Sequence, residues 1–535
     1  MNLDKEKQQS PITNHAPEDA LSPRSNLFLF AVGLALFVAI RLRGLTASCL
    51  WFDEIFSVHA ARHPWSQIFS FVAADIIHPP LFYVLLKIWI AFGGESLMWL
   101  RLFPALTSIA AIVPFLLLGR ELRLKAGERN LALALLAVNG FLIKYAQEVR
   151  MYSLLFFLSL CSLWLFVRFI TGGNSNRRAV ALFAINLLLV YTHYCGWVVV
   201  GLQFLVLLLW RRRRSPLFAA SIAALFAAYL PWIYEVSKAA PANGLAQNIG
   251  WVTRPGVRDI VQAVTTLNQP FSFSQSSTDT LYDPVNTTLI ILLLILPLMV
   301  LAWQLFRRNP KVESGRVNGM RAFFLFALAP AFFFFLMSWV LPHSIWGTRH
   351  LIIAAVPYSI LTAIALKRLR PYWLKMLVYI LLGCWFLLAG TFALLRPAPH
   401  FIWCAWEPLA HELIMTEAKA SPAVQVYAFE DLIAYHLWHG LDATGNSRFQ
   451  VSVIKGAPGM IEDPAYFLPR EFNDIAVLNK SMPQDNSFWL AFRATQWDEM
   501  RAPLNFFLNR GYRAGPVLRT RAQGQEAFLV RLQRE

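Results

Sequence analysis

The chain has 535 residues, 57% of them hydrophobic and only 15% charged, against roughly a quarter charged in soluble globular domains; this excludes an ordinary soluble protein. The net charge of +17 forms no basic face or aromatic-interleaved stripe, which excludes nucleic acid as a partner. It lies in short loops instead, Arg120 to Arg129, Arg177-Arg178, Arg211 to Arg214, Arg307-Arg308 with Lys311, and Lys367 to Arg370, as the positive-inside rule gives a multispanning membrane protein.

Residues 1–25 carry mixed charge, several prolines and no apolar run, and read as a disordered cytoplasmic tail with no cleaved signal peptide. Apolar blocks then predict spans near Asn26 to Leu42, Leu102 to Leu118, Leu131 to Ile143, Tyr152 to Ile170, Val180 to Tyr191 and Trp197 to Trp210. Further spans are predicted near Leu217 to Tyr234, Thr288 to Phe306, Ala322 to Leu341, Leu351 to Leu366 and Leu374 to Leu395, about eleven in all. The segment Leu81 to Phe92, entered through His78-Pro79-Pro80 and left through Gly93-Gly94, is read as an interfacial helix. Counting it as a crossing would put most of the basic loops outside.

With the amino terminus inside, the outer surface collects Ala47 to Gly94, Lys144 to Met151, Thr192 to Gly196, Glu235 to Asn286 and Pro342 to His350. Residues 26–395 therefore form the membrane domain, with outer loops at 45–94 and 235–286. In 396–535 the apolar blocks stop, and stretches such as Val424 to Phe429, Asp431 to Trp438, Val451 to Ile454 and Phe488 to Phe492 predict a small soluble α/β domain on the outer side. The fold class expected is mainly α and polytopic, with that domain as a cap. The cysteines at 49, 161, 195, 384 and 404 show no metal-type or redox spacing, so no disulfide is expected.

The candidate chemistry is on the outer side. Asp53 and Glu54, flanked by aromatics just beyond the first span, are candidate catalytic carboxylates, able to take the proton of an attacking hydroxyl. Arg150 and Lys144, with the Tyr152 hydroxyl, suit a phosphate; His78, Arg349 and His350 extend that basic lining. His193, Tyr194, Trp346 and Trp251 complete a candidate substrate pocket. Cations that stabilise a departing phosphate, facing a carboxylate that removes a proton, match glycosyl transfer from a phosphate-linked lipid. A direct displacement needs only one such base.

At these residues the sequence resembles the bacterial protein O-mannosyltransferase-like glycosyltransferases of GT-C type (glycosyltransferase family 39), a group that includes the aminoarabinose transferases of lipid A. Asp53-Glu54 looks like the acidic pair of that family's first outer loop, His78-Pro79-Pro80-Leu81 like its juxtamembrane helix, and Gln147 to Tyr152 like its second-loop motif, with Val149 where alanine is frequent. The resemblance implies GT-C architecture and an inverting transfer from a polyprenyl-phosphate sugar, with Asp53 as base and Arg150 with its neighbours on the phosphate. Membrane lipid, the lipid-linked donor and a lipid, glycan or protein acceptor are the implied partners, and the plasma or inner membrane the implied location. No cofactor is certain; a divalent metal is left open, with no ligand set beyond Asp53 and Glu54.

The rival reading is a lipid or polysaccharide transporter or flippase, against which stands the absence of ionisable residues from the middles of the predicted spans. The outer loop Glu235 to Asn286, with Trp251, Arg254, Arg258 and Asp283, is expected to order over the donor as a lid.

Overall fold

The computed structural model describes residues 22–172, 176–239, 244–271, 283–307, 315–395, 400–417, 423–445, 447–457, 460, 465–470, 472–479, 483–494 and 497–535. Most of the predicted amino-terminal tail lies outside the described residues; its last residues already belong to the first helix, Pro23–Leu42, capped by Ser22.

Among the described residues, eight helices are long and apolar enough to cross a bilayer: Pro23–Leu42, Leu97–Glu121, Tyr152–Thr171, Arg212–Ala239, Pro284–Arg307, Gly319–Val340, Thr348–Lys367 and Tyr372–Leu395. Large apolar side chains such as Phe28, Val113, Trp303, Phe332, Trp373 and Leu387 stand exposed on them, a surface that lipid covers and water would not tolerate. The three remaining predicted spans fall on shorter helices. Two are the 17-residue Asn176–Thr192 and the 16-residue Cys195–Trp210. The third is broken at Asn139, which has extended backbone and uses its side-chain oxygen to cap Gly140–Ala146 at Leu142 N–H and its amide to reach Leu267 C=O. Among the described residues eight helices thus have full crossing length, and the expected count of eleven is not confirmed.

Burial separates the helices by role. Pro23–Leu42 and Tyr372–Leu395 are mostly lipid-facing, whereas Thr348–Lys367 is 89% buried and runs through the centre. Helices Tyr152–Thr171, Asn176–Thr192 and Cys195–Trp210 are joined by a closed neutral triangle: Ser162 Oγ donates to Asn186 at 2.6 Å, Asn186 to Gln203 at 3.0 Å, and Gln203 back to Ser162 at 2.6 Å. Each buried polar group thus has a partner inside the apolar bundle.

Leu81–Gly93 has 13 residues, too few to cross, and it packs on the loop helix Phe52–Arg62. Lys87 caps that helix, donating to Ala61 C=O at 3.1 Å and His63 C=O at 2.7 Å.

The C-terminal part is a six-stranded sheet: β1 (Val424–Ala428), β2 (Phe449–Lys455), β3 (Ala476–Asn479), β4 (Ser487–Ala494), β5 (Tyr512–Ala522) and β6 (Gln525–Arg534). The strand order is β3-β2-β1-β4-β6-β5, parallel across β3, β2, β1 and β4 and antiparallel from β4 through β6 to β5. One face is covered by helices Trp406–Thr416 and Asp431–Asp442, continuous with the membrane-domain core; on the other, Phe429, Phe488, Phe492, Phe507 and Phe528 form a core of their own. The continuity comes from an aromatic seam in which Phe52 lies 5.1 Å from Tyr435 and His59 lies 4.7 Å from Phe472. Arg62 reinforces it by pairing with Asp442 at 2.7 Å.

The expectation of no disulfide is corrected. Cys49 and Cys404, 355 residues apart, are bonded to each other. Short-range spacing cannot reveal such a pair; only the fold brings the first outer loop against the start of the C-terminal domain.

Candidate active site

Helix Phe52–Arg62 begins where the first outer loop meets the membrane, and its first turn presents Asp53 and Glu54 in different directions, since successive helical residues are turned by roughly 100°. Glu54 points inward and is 1% exposed. Its carboxylate accepts from the Trp51 N–H (3.1 Å), from the Val149 N–H (2.8 Å) and from Arg101 at 2.9 and 3.3 Å. Arg101 gives its other hydrogen bonds to the carbonyls of Leu45, Ser48 and Cys49. Glu54 is thus a buried, fully engaged carboxylate that ties two loops together, while Asp53 takes a different direction.

Asp53 is 28% exposed, with Oδ2 3.5 Å from Arg150 Nη2. Arg150 comes from a tight turn, Arg150 N–H to Glu148 C=O at 2.6 Å, and is 4% exposed. Its guanidinium also donates to Asp53 C=O at 3.2 Å, to Ser57 Oγ at 3.4 Å and to His78 Nδ1 at 3.4 Å. Burial opposes the Arg150 charge, but Asp53 and nearby tyrosines outweigh it and raise its pKa. The two prolines after His78 fix the chain there, and burial, then Arg150 and His193, hold the His78 ring well below its ordinary pKa.

The histidines form a chain of rings, His78 to His193 at 5.2 Å and His193 to His350 at 5.5 Å, with Tyr152 6.0 Å from His193. Arg349 is within electrostatic reach of Tyr152 and Asp53. Lys144 lies over the Tyr145 ring at 5.2 Å and acts on Glu148. Around this cluster Tyr83 Oη, Tyr152 Oη, Arg150 Nε, His193 Nε2 and His350 Nδ1 are buried without a hydrogen-bond partner among the described residues.

Three predicted pocket residues have contacts of their own. The Tyr194 hydroxyl is committed to Ile76 C=O at 2.9 Å, Trp251 donates to Asn248 C=O at 2.9 Å, and the Trp346 ring packs 6.0 Å from Phe335. Within the predicted lid segment, Asp283 caps helix Pro284–Ile290 and Arg254 lies over Trp339; residues 240–243 and 272–282 of that loop lie outside the described residues.

Two carboxyls with no role assigned from sequence also face the cluster. Burial pushes Asp75 up to about 6, with Arg150 opposing and Asp53 adding to the rise; burial pushes Glu148 up to about 7, with Lys144 opposing and Glu54 adding. Asp75 ends helix Ile68–Asp75 where Ile76 takes a left-handed φ of 67°, costly for a β-branched residue. That turn is gripped from three sides, by Tyr194 on Ile76 C=O, Asn248 on Asp75 C=O, and Arg470 of the C-terminal domain on Ala74 C=O. Nothing in the local sequence signals such a clamp, because its members are distant along the chain.

Glu54 is turned away from Asp53 and engaged with Arg101. Among the described residues the group able to hold an ion is His193, Cys195 and His350, whose ligand atoms lie within 4.8 Å of one another.

The apolar helices and this rim of loops define a multi-pass, mainly α membrane protein with a small C-terminal sheet domain. In particular, the chain is similar in structure to ArnT from Cupriavidus metallidurans bound to undecaprenyl phosphate, with a TM-score of 0.58 at 14% identity over 95% of this chain and 98% of that one. The apo state of ArnT gives 0.56 at 15% identity over 94% and 97%. The oligosaccharyltransferase AglB from Archaeoglobus fulgidus, in complex with an inhibitory peptide and a dolichol-phosphate, gives 0.48 at 13% identity over 78% and 63%. No protein-family model and no curated protein matches the sequence.

Proposed function

We propose that the chain is an integral membrane glycosyltransferase that moves a sugar from a polyprenyl-phosphate carrier to a lipid, glycan or protein acceptor at the outer face of the cell membrane. The observation that carries this reading is the Asp53 carboxylate standing 3.5 Å from the Arg150 guanidinium, amid buried polar groups that have no partner of their own. Such a rim suits a phosphate oxygen beside a base. In an inverting transfer the acceptor oxygen bonds to the anomeric carbon while the bond from that carbon to the phosphate oxygen breaks. The electron pair leaves with the phosphate, and the acceptor proton passes to Asp53. Arg150, with Arg349, Lys144 and Tyr152, offsets the charge that grows on the phosphate.

Sidedness is supported by the Cys49–Cys404 bond, because disulfides persist in oxidising compartments such as the bacterial periplasm and not in the cytosol. It supports a reading in which the first loop, the C-terminal domain and the pocket lie on the extracytoplasmic side and the amino terminus in the cytoplasm. The likeness of fold to ArnT, which was crystallised with undecaprenyl phosphate, supports a lipid-phosphate carrier as the donor.

The test is reconstitution of the purified full-length protein in lipid vesicles with radiolabelled polyprenyl-phosphate sugars and a panel of acceptors. Transfer of label to an acceptor, absent from the Asp53→Asn protein, is the expected result; label that only crosses the bilayer would show a flippase instead.

A further inference from the structure

His193 stands in the short link between helices Asn176–Thr192 and Cys195–Trp210 and is 4% exposed. Its Nδ1 accepts a hydrogen bond from the Cys195 backbone N–H at 3.0 Å, at the first turn of the second helix. A ring nitrogen that accepts carries no proton, so in the neutral imidazole the proton is on Nε2. An accepting Nδ1 also excludes the doubly protonated imidazolium, so the ring is neutral as well as fixed in its tautomer. Nε2 is itself buried with no partner among the described residues. The result is a donor of fixed direction with nothing of the protein's own to donate to, a costly arrangement unless a ligand answers it.

The neighbours say what kind of ligand. His78, Tyr152 and His350 surround the ring, Tyr152 Oη is also buried and unpartnered, and Arg150 and Arg349 act on it electrostatically. Donors and guanidinium groups gathered around one ring suit an anionic oxygen. The same histidine belongs to the group with Cys195 and His350 that could hold a metal ion. Ligation through Nε2, however, needs the lone pair there and the proton on Nδ1, where the Cys195 amide already points its own hydrogen. Two nearby guanidinium groups also oppose a divalent cation.

We propose that His193 is a tautomer-locked hydrogen-bond donor to a phosphoryl oxygen of the lipid carrier, and that it holds the released carrier phosphate more tightly than the sugar-loaded one. This rests on the carrier reading above. During transfer His193 keeps its proton, which is needed nowhere else because Asp53 takes the one from the acceptor. The sugar-loaded phosphate is a diester with a single negative charge, whereas the released monoester carries close to two. The Nε2–H bond therefore strengthens as the sugar leaves.

The experiment titrates undecaprenyl phosphate onto the full-length protein in lipid nanodiscs. His193→Asn keeps an oxygen for the Cys195 amide but has no donor at the Nε2 position; its affinity is expected to fall about ten- to a hundredfold with no change in thermal unfolding. His193→Gln, whose amide nitrogen reaches further, should recover part of the loss, and that recovery also distinguishes a lost donor from a damaged fold. The fold-loss in His193→Asn should grow from about pH 6 to about pH 8, as the carrier phosphate takes its second negative charge, whereas a donor that had to be protonated imidazolium would make it shrink. Tight binding by the wild type with equal binding by His193→Asn would overturn this proposal and leave the carrier reading standing. No binding by the wild type would overturn both. One zinc per chain, lost in both His193→Asn and Cys195→Ser, would overturn it by making the ring a metal ligand.

Discussion

Ion pairs in the C-terminal domain and at the outer rim of the membrane domain are built differently. In the sheet domain Arg493 grips Glu430 with a forked set of contacts, the shortest 2.6 Å, and Lys455 meets Asp431 at 2.7 Å. At the rim Arg150 meets Asp53 at 3.5 Å, spends its remaining donors on a carbonyl, a hydroxyl and a neutral imidazole, and leaves Nε without a partner. Closed pairs satisfy each other and add shape; a loose pair with buried, unpartnered neighbours is arranged for something that arrives from outside. Glu54 makes the same point one residue away, since its closed contact with Arg101 belongs to the first kind.

The sharpest way to break this comparison is to neutralise the loose pair. Asp53→Asn and Arg150→Ala should each lower transfer about a hundred- to ten-thousandfold while leaving insertion and thermal unfolding in detergent close to wild type. Equal losses of folding would mean that this pair is structural too. The opposite pattern is expected at the closed pair: Arg101→Met strands the buried Glu54 carboxylate and should cost about 3–5 kcal/mol of stability, read as a large drop in melting temperature or loss of folded protein from membranes.

A smaller effect is expected from Cys404→Ser, which removes the tether to Cys49 and should cost about 2–4 kcal/mol, with residual transfer in the surviving folded fraction. The smallest is a pH effect. Asp75 and Glu148, raised to about 6 and about 7 from ordinary values of 3.8 and 4.5, bind more protons folded than unfolded between those limits. Stability should therefore fall as pH rises from about 4 to about 7, and Asp75→Asn with Glu148→Gln should flatten that slope in thermal melts.

Much of this could be read from the chain. Hydropathy marked the membrane domain, alternation marked β1, β2 and β4, and the polar residues at the ends of apolar blocks picked out Asp53, His78, Arg150, Tyr152, His193 and His350, which the fold gathers into one cluster. Other features could not be read. The divergence of Asp53 and Glu54 depends on which face of a short helix meets Arg101, and the grip on the Ile76 turn depends on Asn248 and Arg470, far along the chain. The break at Asn139 reflects a tertiary partner, the Leu267 carbonyl, that hydropathy cannot see.

The bond between Cys49 and Cys404 also sets an order of events during biogenesis. Its second sulfur is synthesised 355 residues after the first, beyond the last long apolar helix, Tyr372–Leu395. The loop bearing Asp53 therefore stays untethered until Cys404 has been made, after the last long apolar helix among the described residues. A product truncated before Cys404 cannot complete that fastening, so thiol accessibility at Cys49 would report whether a given molecule had passed that point.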